Sequence, residues 1–242
     1  MLTYAHRGFS GEYPENTMLA FKKAYETGCE GIELDVHLSK DGHLVVIHDE
    51  TVDRTTDRTG FVRDFTLQEL QEINAGTEEA FEGIPSFEEY CIWVKDLPLI
   101  TNIEIKTNRY YYPGIEEKVL AMVEKYQLQK KALVSSFNHA SLWKIKCLDP
   151  DFKCAMLLNS KSIGNIGPYA KAMGMEFFHP DGTTLTPDEV KECHEQGIMV
   201  NVWTVNDMAL LKRVINFGVD GIITNFPDMV KVWIENSKEI NK

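Results

Sequence analysis

The chain has 242 residues, of which 43% are hydrophobic and 26% charged, a composition typical of a globular protein and a length that fits one large α/β domain. Its formal net charge of −12 argues against nucleic acid as a partner, because binding to a phosphate backbone depends on clustered Lys and Arg. The five cysteines are odd in number and include no C-x-x-C pair, which disfavours a disulfide framework or a structural zinc site and indicates a reducing, cytoplasmic location.

No targeting segment is expected at the N-terminus, which reads MLTYAHRGFSGEYPEN and lacks the basic and apolar stretches of a secretory signal. No later run approaches the roughly 20 apolar residues that a transmembrane helix needs. We therefore expect a mature chain that begins at Met1 and has no membrane span.

Short apolar runs alternate along the chain with longer segments whose apolar residues follow a helical spacing. Eight of these runs are predicted strands, at residues 2–5, 31–36, 99–105, 132–135, 153–157, 176–178, 199–203 and 221–224. The predicted helices lie between most of them, at residues 16–27, 115–126, 140–148, 167–173, 187–195, 207–217 and 227–237. Eight strand–helix repeats in a chain of this length predict a (β/α)8 TIM barrel that occupies residues 1–242 as a single domain.

The simple alternation is interrupted after the second predicted strand. A turn at Ser39-Lys40-Asp41-Gly42 separates two apolar stretches, residues 36–38 and 44–47, which predicts a β-hairpin. The region that follows is polar as far as residue 85 and contains one short predicted helix, residues 66–72. We expect a small insertion at about residues 37–85 over one end of the barrel, where long strand-to-helix connections are usually functional.

Two acidic residues lie in the otherwise apolar second strand. Glu33 and Asp35 are two residues apart, so their side chains point to the same face of the strand. Glu104 ends the third predicted strand, which neighbours the second in a barrel. Three converging carboxylates predict a site for one divalent cation, and ligation by oxygen alone favours Mg²⁺ or Ca²⁺ over zinc. The alternative is that the acidic pair faces solvent or pairs with Lys and Arg around the barrel rim.

Two histidines are predicted to lie at the ends of strands. His6 closes the first strand and His48 closes the second arm of the hairpin, so both are expected at the mouth of the barrel. Histidine exchanges protons near neutral pH, which makes this pair the candidate general acid and base. The other histidines are expected to be structural or surface groups: His37, His43, His139, His179 and His194.

Positive and aromatic residues complete the predicted site. Arg7 and Lys106 change the summed charge of three carboxylates and one divalent cation from −1 to +1 and supply donors for a phosphate group. The alternative for Arg7 is a salt bridge to Glu15. Phe137 and Trp203 follow or end predicted strands and are candidates for a wall that contacts an alcohol moiety, although Trp203 is also consistent with the barrel core.

Taken in order, these motifs resemble those of the glycerophosphodiester phosphodiesterase family. The matching segments are His6-Arg7-Gly8, Pro14-Glu15-Asn16-Thr17, residues 31–36, Lys40-Asp41-Gly42, His48-Asp49 with Arg54-Thr55-Thr56, residues 102–106, Ser135-Ser136-Phe137, residues 202–206 and residues 221–224. The resemblance implies a (β/α)8 barrel with an insertion after the second strand, and hydrolysis of glycerophosphodiesters to an alcohol and glycerol 3-phosphate. The family's catalytic, metal-ligating and phosphate-contacting residues correspond to His6 and His48, to Glu33, Asp35 and Glu104, and to Arg7 and Lys106, respectively.

The resemblance has one departure and leaves alternatives open. Asn225-Phe226-Pro227 stands where relatives commonly have Asp-Arg-Pro, after the last predicted strand. By resemblance the nucleophile is the glycerol 2-hydroxyl, which would form a cyclic phosphate, and direct attack by water is the alternative. A related barrel phosphodiesterase acting on lysophospholipids or phosphoinositides is a second enzyme hypothesis, and a non-catalytic, metal-dependent ligand-binding barrel is a third. The insertion has no long aliphatic patch, which favours a small, water-soluble diester as the substrate.

Overall fold

A computed structural model describes residues 1–159 and 163–240. Its strands are β1 (Leu2–His6), β2 (Gly31–Leu38), β3 (Leu44–Val46), β4 (Ile100–Ile105), β5 (Ala132–Ser136), β6 (Cys154–Leu158), β7 (Phe177–Pro180), β8 (Met199–Val202) and β9 (Gly221–Thr224). All of these except β3 are parallel to their neighbours, and β1 pairs with both β2 and β9, which closes the sheet. The predicted (β/α)8 barrel is therefore confirmed.

Helices cover the outside of the barrel. They are α1 (Met18–Glu26), α2 (Leu67–Gln71), α3 (Phe87–Val94), α4 (Ile115–Lys125), α5 (His139–Leu148), α6 (Ile166–Ala172), α7 (Pro187–Glu195), α8 (Met208–Asn216) and α9 (Pro227–Ile240). Except for α2, which belongs to the insertion and packs Leu70 into a smaller core, these helices pack their apolar faces against the sheet and form the main hydrophobic core. Within the described part of the chain, no helix combines the length and the apolar character that crossing a bilayer requires.

Residues 87–94 form a helix that is missing from the predicted helices. Helix α3 begins after Ser86, whose hydroxyl accepts a hydrogen bond from the backbone N–H of Glu89. Its buried residues are spaced as i, i+3, i+4 and i+7: Phe87, Tyr90, Cys91 and Val94. This is an ordinary amphipathic pattern. Helix α3 completes the second strand–helix unit, and the predicted insertion lies between β2 and this helix.

The insertion after β2 begins with the predicted hairpin. Strand β3 runs antiparallel to the end of β2, with Val36 opposite Val46. A 3₁₀ turn at Val62–Asp64 and helix α2 follow. Apolar residues of the hairpin and of this segment form a second, smaller core: Val45, Ile47, Val52, Val62, Leu70, Ile73, Ala75 and Ile84. The hairpin and the loop after it thus have packing of their own, which holds the residues that they carry in place.

The register of the barrel strands determines which side chains meet at its carboxyl-terminal end. His6 on β1 is the partner of Glu33 on β2, and Asp35 on β2 is the partner of Glu104 on β4. Adjacent strands are about 4.8 Å apart, so these side chains are direct neighbours across the sheet. Active sites of such barrels lie at this end.

Candidate active site

A cavity of about 120 Å³ opens at the carboxyl-terminal end of the barrel. Among the predicted site residues, those that line it are His6, Arg7, Glu33, His48, Glu104, Phe137 and Trp203. The other two, Asp35 and Lys106, contact the lining residues from behind, since Lys106 Nζ lies 2.7 Å from Glu104 Oε1 and 3.5 Å from Asp35 Oδ1. The structure therefore brings all the predicted site residues together.

The three predicted metal-ligating carboxylates form one buried cluster. Glu33, Asp35 and Glu104 each offer an oxygen, and these oxygens all lie within 4.8 Å of one another. The backbone N–H of Arg7 donates to the side chain of Glu33 at 3.0 Å, and the Asn16 amide donates to Asp35 Oδ2 at 2.8 Å. Asp35 Oδ1 is buried and accepts no hydrogen bond from any residue in the described ranges. Hydrogen bonds from neighbouring residues thus hold the cluster in place, and Asp35 Oδ1 is left to bind a further partner.

The electrostatics of this cluster fit a bound cation. Burial raises the pKa of Glu33 well above its usual value, and the nearby charges of Asp35 and Glu104 raise it further. Burial also raises the pKa of Glu104, despite its ion pair with Lys106. Burial opposes ionisation of Asp35 as well, but Lys106 and Arg7 outweigh it and lower the pKa of this carboxyl. The donor set is all oxygen and anionic, which suits a hard divalent cation.

Arg7 lies beside the carboxylate cluster and already has partners. Its Nη1 donates to Glu15 at 2.9 Å, so the salt bridge considered as an alternative is present, and its Nε lies 3.5 Å from Asp35 Oδ2. Arg7 adopts a left-handed backbone conformation with φ of 56°. The next residue, Gly8, also has positive φ, and a Cβ there would lie 2.7 Å from the carbonyl carbon of Ala20. Glycine is therefore required in this turn, which aims the Arg7 side chain along the cavity wall.

His6 is held by an amide. Its Nδ1–H donates to Asn225 Oδ1 at 2.6 Å, and its Nε2 lies 3.9 Å from Glu33 Oε2. Burial lowers the pKa of His6 to about 4, and the nearby Arg7 charge acts in the same direction. Both effects favour the neutral imidazole.

His48 is held by a carboxylate instead. Its Nδ1–H donates to Asp49 Oδ1 at 2.6 Å. The buried His37, expected to be structural, donates Nε2–H to the backbone carbonyl of His48 at 3.1 Å, while Tyr112 caps the other ring nitrogen of His37 at the same distance. His48 is thus fixed through both its side chain and its backbone.

A network of charged groups connects the surroundings of the two histidines. Arg54 donates Nε–H to Asp49 at 2.7 Å and both terminal nitrogens to Glu15 at 2.9 and 2.8 Å. Glu15 in turn accepts from Arg7. A single exposed ion pair contributes little, but a fork of this kind that joins two loops fixes their relative position. Arg54 therefore ties the insertion to the turn after β1.

Two aromatic rings form the opposite wall of the cavity. Phe137 and Trp203 lie edge to face, with ring centroids 5.6 Å apart. The indole N–H of Trp203 donates to the backbone carbonyl of His179 at 2.8 Å, which fixes the ring. The wall gives the cavity one apolar side across from its charged side.

Several neighbours of the site received no site role from sequence alone, namely Asn16, Asp49, Arg54 and Asn225. Asn16, Asp49 and Arg54 lie inside the motifs quoted above, and that position is the sequence signal that could have identified them. Asn225 lies in the one segment that departs from the family's pattern, and nothing local links it to His6, which lies 219 residues away along the chain.

Comparisons with known proteins agree on one family. The model of the glycerophosphoryl diester phosphodiesterase family matches residues 6–229. A glycerophosphodiester phosphodiesterase of Caldanaerobacter subterraneus is 45% identical over 233 residues, covering 94% of this chain and 95% of the relative. A (β/α)8 barrel that carries this site defines the class of protein. The chain belongs to the glycerophosphoryl diester phosphodiesterase family, and it is an enzyme of that family.

Solved structures agree with this assignment. The crystal structure of a putative glycerophosphodiester phosphodiesterase from Galdieria sulphuraria is 28% identical, covers 97% of each chain and superimposes with a TM-score of 0.89. A phosphodiesterase from Oleispira antarctica, in complex with the product sn-glycerol-3-phosphate, is 27% identical, with 97% of each chain covered and a TM-score of 0.86. The barrel fold is therefore shared with both of these structures.

Proposed function

We propose that the protein hydrolyses glycerophosphodiesters to an alcohol and glycerol 3-phosphate, using one divalent cation and the pair His6 and His48 as acid and base. The observation that carries this proposal is the convergence of both histidines and the three-carboxylate cluster on one cavity. The Oleispira antarctica relative, described with sn-glycerol-3-phosphate as its product, supports the substrate class.

Glu33, Asp35 and Glu104 would hold the cation, which is Mg²⁺ or Ca²⁺ in this proposal. Bound there, the cation would act as a Lewis acid toward a phosphate oxygen and offset charge that develops in the transition state. The positively charged side chains of Lys106 and Arg7 offset the remaining negative charge of the carboxylates. Lys106, paired with Glu104 and close to Asp35, lowers the pKa of Asp35 and opposes the rise that burial causes in the pKa of Glu104, and Arg7 lines the cavity with donors for phosphate oxygens.

The two histidines take opposite roles in this proposal because their partners differ. His6 donates Nδ1–H to a neutral amide, so its Nε2 is free to accept a proton from the nucleophile. His48 donates Nδ1–H to the Asp49 carboxylate, which orients its ring, and it would donate a proton to the departing alcohol oxygen. With the glycerol 2-hydroxyl as nucleophile, its oxygen bonds to phosphorus as the ester bond to the alcohol breaks. Water then opens the cyclic phosphate with the proton transfers reversed.

The cavity favours small diesters over lipids. Its volume of about 120 Å³ accommodates several water-sized groups rather than an acyl chain. The Phe137–Trp203 wall would contact the apolar carbon atoms of the glycerol or alcohol moiety. Water-soluble glycerophosphodiesters are therefore preferred to lysophospholipids in this proposal.

The experiment that tests the function measures release of glycerol 3-phosphate. Protein treated with a chelator is assayed with glycerophosphocholine and with lysophosphatidylcholine, and Mg²⁺ and Ca²⁺ are then restored separately. We expect turnover of the first substrate only and only with a restored cation. Undiminished turnover in chelator would contradict the metal role, and tight binding without any turnover would favour the non-catalytic barrel.

We also propose that residues 1–242 form a single domain, with the insertion at about residues 37–85, and that the enzyme works in the cytoplasm. The small core of the insertion supports its folding in contact with the barrel, because Val45 belongs to that core and lies on β3, which pairs with barrel strand β2. The cysteines of the described residues are free thiols, as a reducing compartment requires.

A further inference from the structure

The side chain of Asn225 lies directly behind His6, on the side away from the cavity. We propose that Asn225 is a positioning residue that fixes the tautomer of His6, so that the nitrogen facing the cavity is the unprotonated one. This inference rests on the proposed function, because it matters for catalysis only if His6 is the general base. The contact is short, 2.6 Å between His6 Nδ1 and Asn225 Oδ1.

The backbone of Asn225 is held at two points after β9, and that of the next residue at a third. Its N–H donates to Asn206 Oδ1 at 2.9 Å, and its carbonyl accepts from the backbone N–H of Gly11 at the same distance. The next residue, Phe226, donates its N–H to Thr224 Oγ1 at 3.0 Å. The Phe226 ring occupies the space beside Gly11, where a Cβ would fall 2.3 Å from a ring atom. The Asn225 amide is therefore presented to His6 from a fixed turn.

The chemistry of an amide oxygen explains the choice of tautomer. An amide oxygen accepts hydrogen bonds but cannot donate one, so the imidazole nitrogen that faces it must carry the proton. In a neutral imidazole the other nitrogen, Nε2, then has the lone pair, and it points toward the cavity near Glu33. His48 has a carboxylate in the equivalent place, Asp49. The amide therefore selects the same tautomer in His6 as the Asp49 carboxylate selects in His48.

Two substitutions of similar size separate this role from a structural one. Asn225→Asp keeps an acceptor for Nδ1–H, whereas Asn225→Leu removes it. A positioned acid–base group contributes roughly 10²–10⁴-fold to rate, so Asn225→Leu should lower kcat by about 10²-fold or more, with KM nearly unchanged. Asn225→Asp should restore most of the lost kcat. A kcat within about threefold of wild type for Asn225→Leu would overturn the proposal.

Nitrogen NMR of the folded enzyme reads the tautomer without any activity assay. Protein with ¹⁵N-labelled histidine is observed at a pH where His6 is neutral, and the His6 signals are assigned by their loss in His6→Gln. We expect the proton on Nδ1 in the wild type and a shift toward Nε2 in Asn225→Leu. A wild-type proton on Nε2 would overturn the proposal even if Asn225→Leu fails to fold. If no diester is turned over, the proposed function fails, while the tautomer measurement still decides the role of Asn225.

Discussion

Substitution of Lys106 gives the sharpest test of the proposed metal site. Its buried ammonium group stabilises two buried carboxylates of that site. Its Nζ lies 2.7 Å from Glu104 Oε1 and 3.5 Å from Asp35 Oδ1, and the side chain is only 7% exposed. Lys106→Met keeps the aliphatic stem and removes the charge. Without a divalent cation, the variant then has three buried carboxylates with Arg7 as their nearby positive charge.

The size of the effect follows from this burial. Removing one partner of a buried ion pair costs about 3–5 kcal/mol in the free energy of unfolding. In a domain of this length 1 kcal/mol shifts the melting temperature by about 2–4 °C, so Lys106→Met in chelator should melt roughly 6–20 °C below the wild type. A cation bound to the folded state stabilises it by mass action. Saturating Mg²⁺ or Ca²⁺ should therefore raise the melting temperature of Lys106→Met by more than that of the wild type.

Lys146 provides the matched control for this experiment. Its side chain is 10% exposed, and Nζ pairs with Glu176 Oε1 at 2.6 Å, away from the cavity. Lys146→Met should lower the melting temperature by the same amount in chelator and in Mg²⁺ or Ca²⁺. Scanning calorimetry with and without each cation measures both variants. If Lys106→Met gained no more from the cation than Lys146→Met does, the cation would not bind at the carboxylate cluster, and the reasoning would be refuted.

Three further predictions concern the acid–base pair, the nucleophile and the insertion. His6→Ala and His48→Ala should each lower kcat by roughly 10²–10⁴-fold, while the affinity for the cation, measured by calorimetry, is retained. His43→Ala, at an exposed position, should match the wild type. A near-normal kcat for His6→Ala or His48→Ala would refute the acid–base role of that histidine. A diester with hydrogen in place of the glycerol 2-hydroxyl should not be hydrolysed, and undiminished turnover would eliminate the cyclic-phosphate route. Leu70→Ala, in the core of the insertion, should cost about 2–5 kcal/mol and shift one unfolding transition, whereas two separate transitions would contradict a single domain.

Much of the site could be predicted from sequence because it follows from strand periodicity. Glu33 and Asp35 share a strand face, and the parallel register sets Asp35 beside Glu104. The place of His6 at the site could be predicted from the position at which β1 ends. No helix is predicted over residues 87–94, although its signals are present in the sequence. These signals, the Ser86 cap and the spacing of the apolar residues, lie next to a polar insertion, which hides them.

The contacts that orient the catalytic candidates could not be predicted in the same way. The bond from His6 to Asn225 joins the first strand to the turn after the last, and local sequence patterns carry no information on such a pair. The fork from Arg54 to Glu15 spans 39 residues and depends on how the insertion lies over the barrel. Periodicity predicts which face a residue occupies, whereas these contacts depend on tertiary packing.

The two halves of the proposed acid–base pair come from different parts of the fold, and this gives the insertion a specific task. His6 ends a strand of the barrel, whereas His48 follows the hairpin strand β3, which belongs to the insertion. The barrel alone would place the carboxylates and one histidine. The second histidine reaches the cavity because His37 on β2 binds its backbone and Arg54 ties its partner Asp49 to the turn after β1. In the proposed mechanism the small core beneath the hairpin would therefore contribute to catalysis through geometry, since any loosening of that core would move His48 relative to the carboxylate cluster.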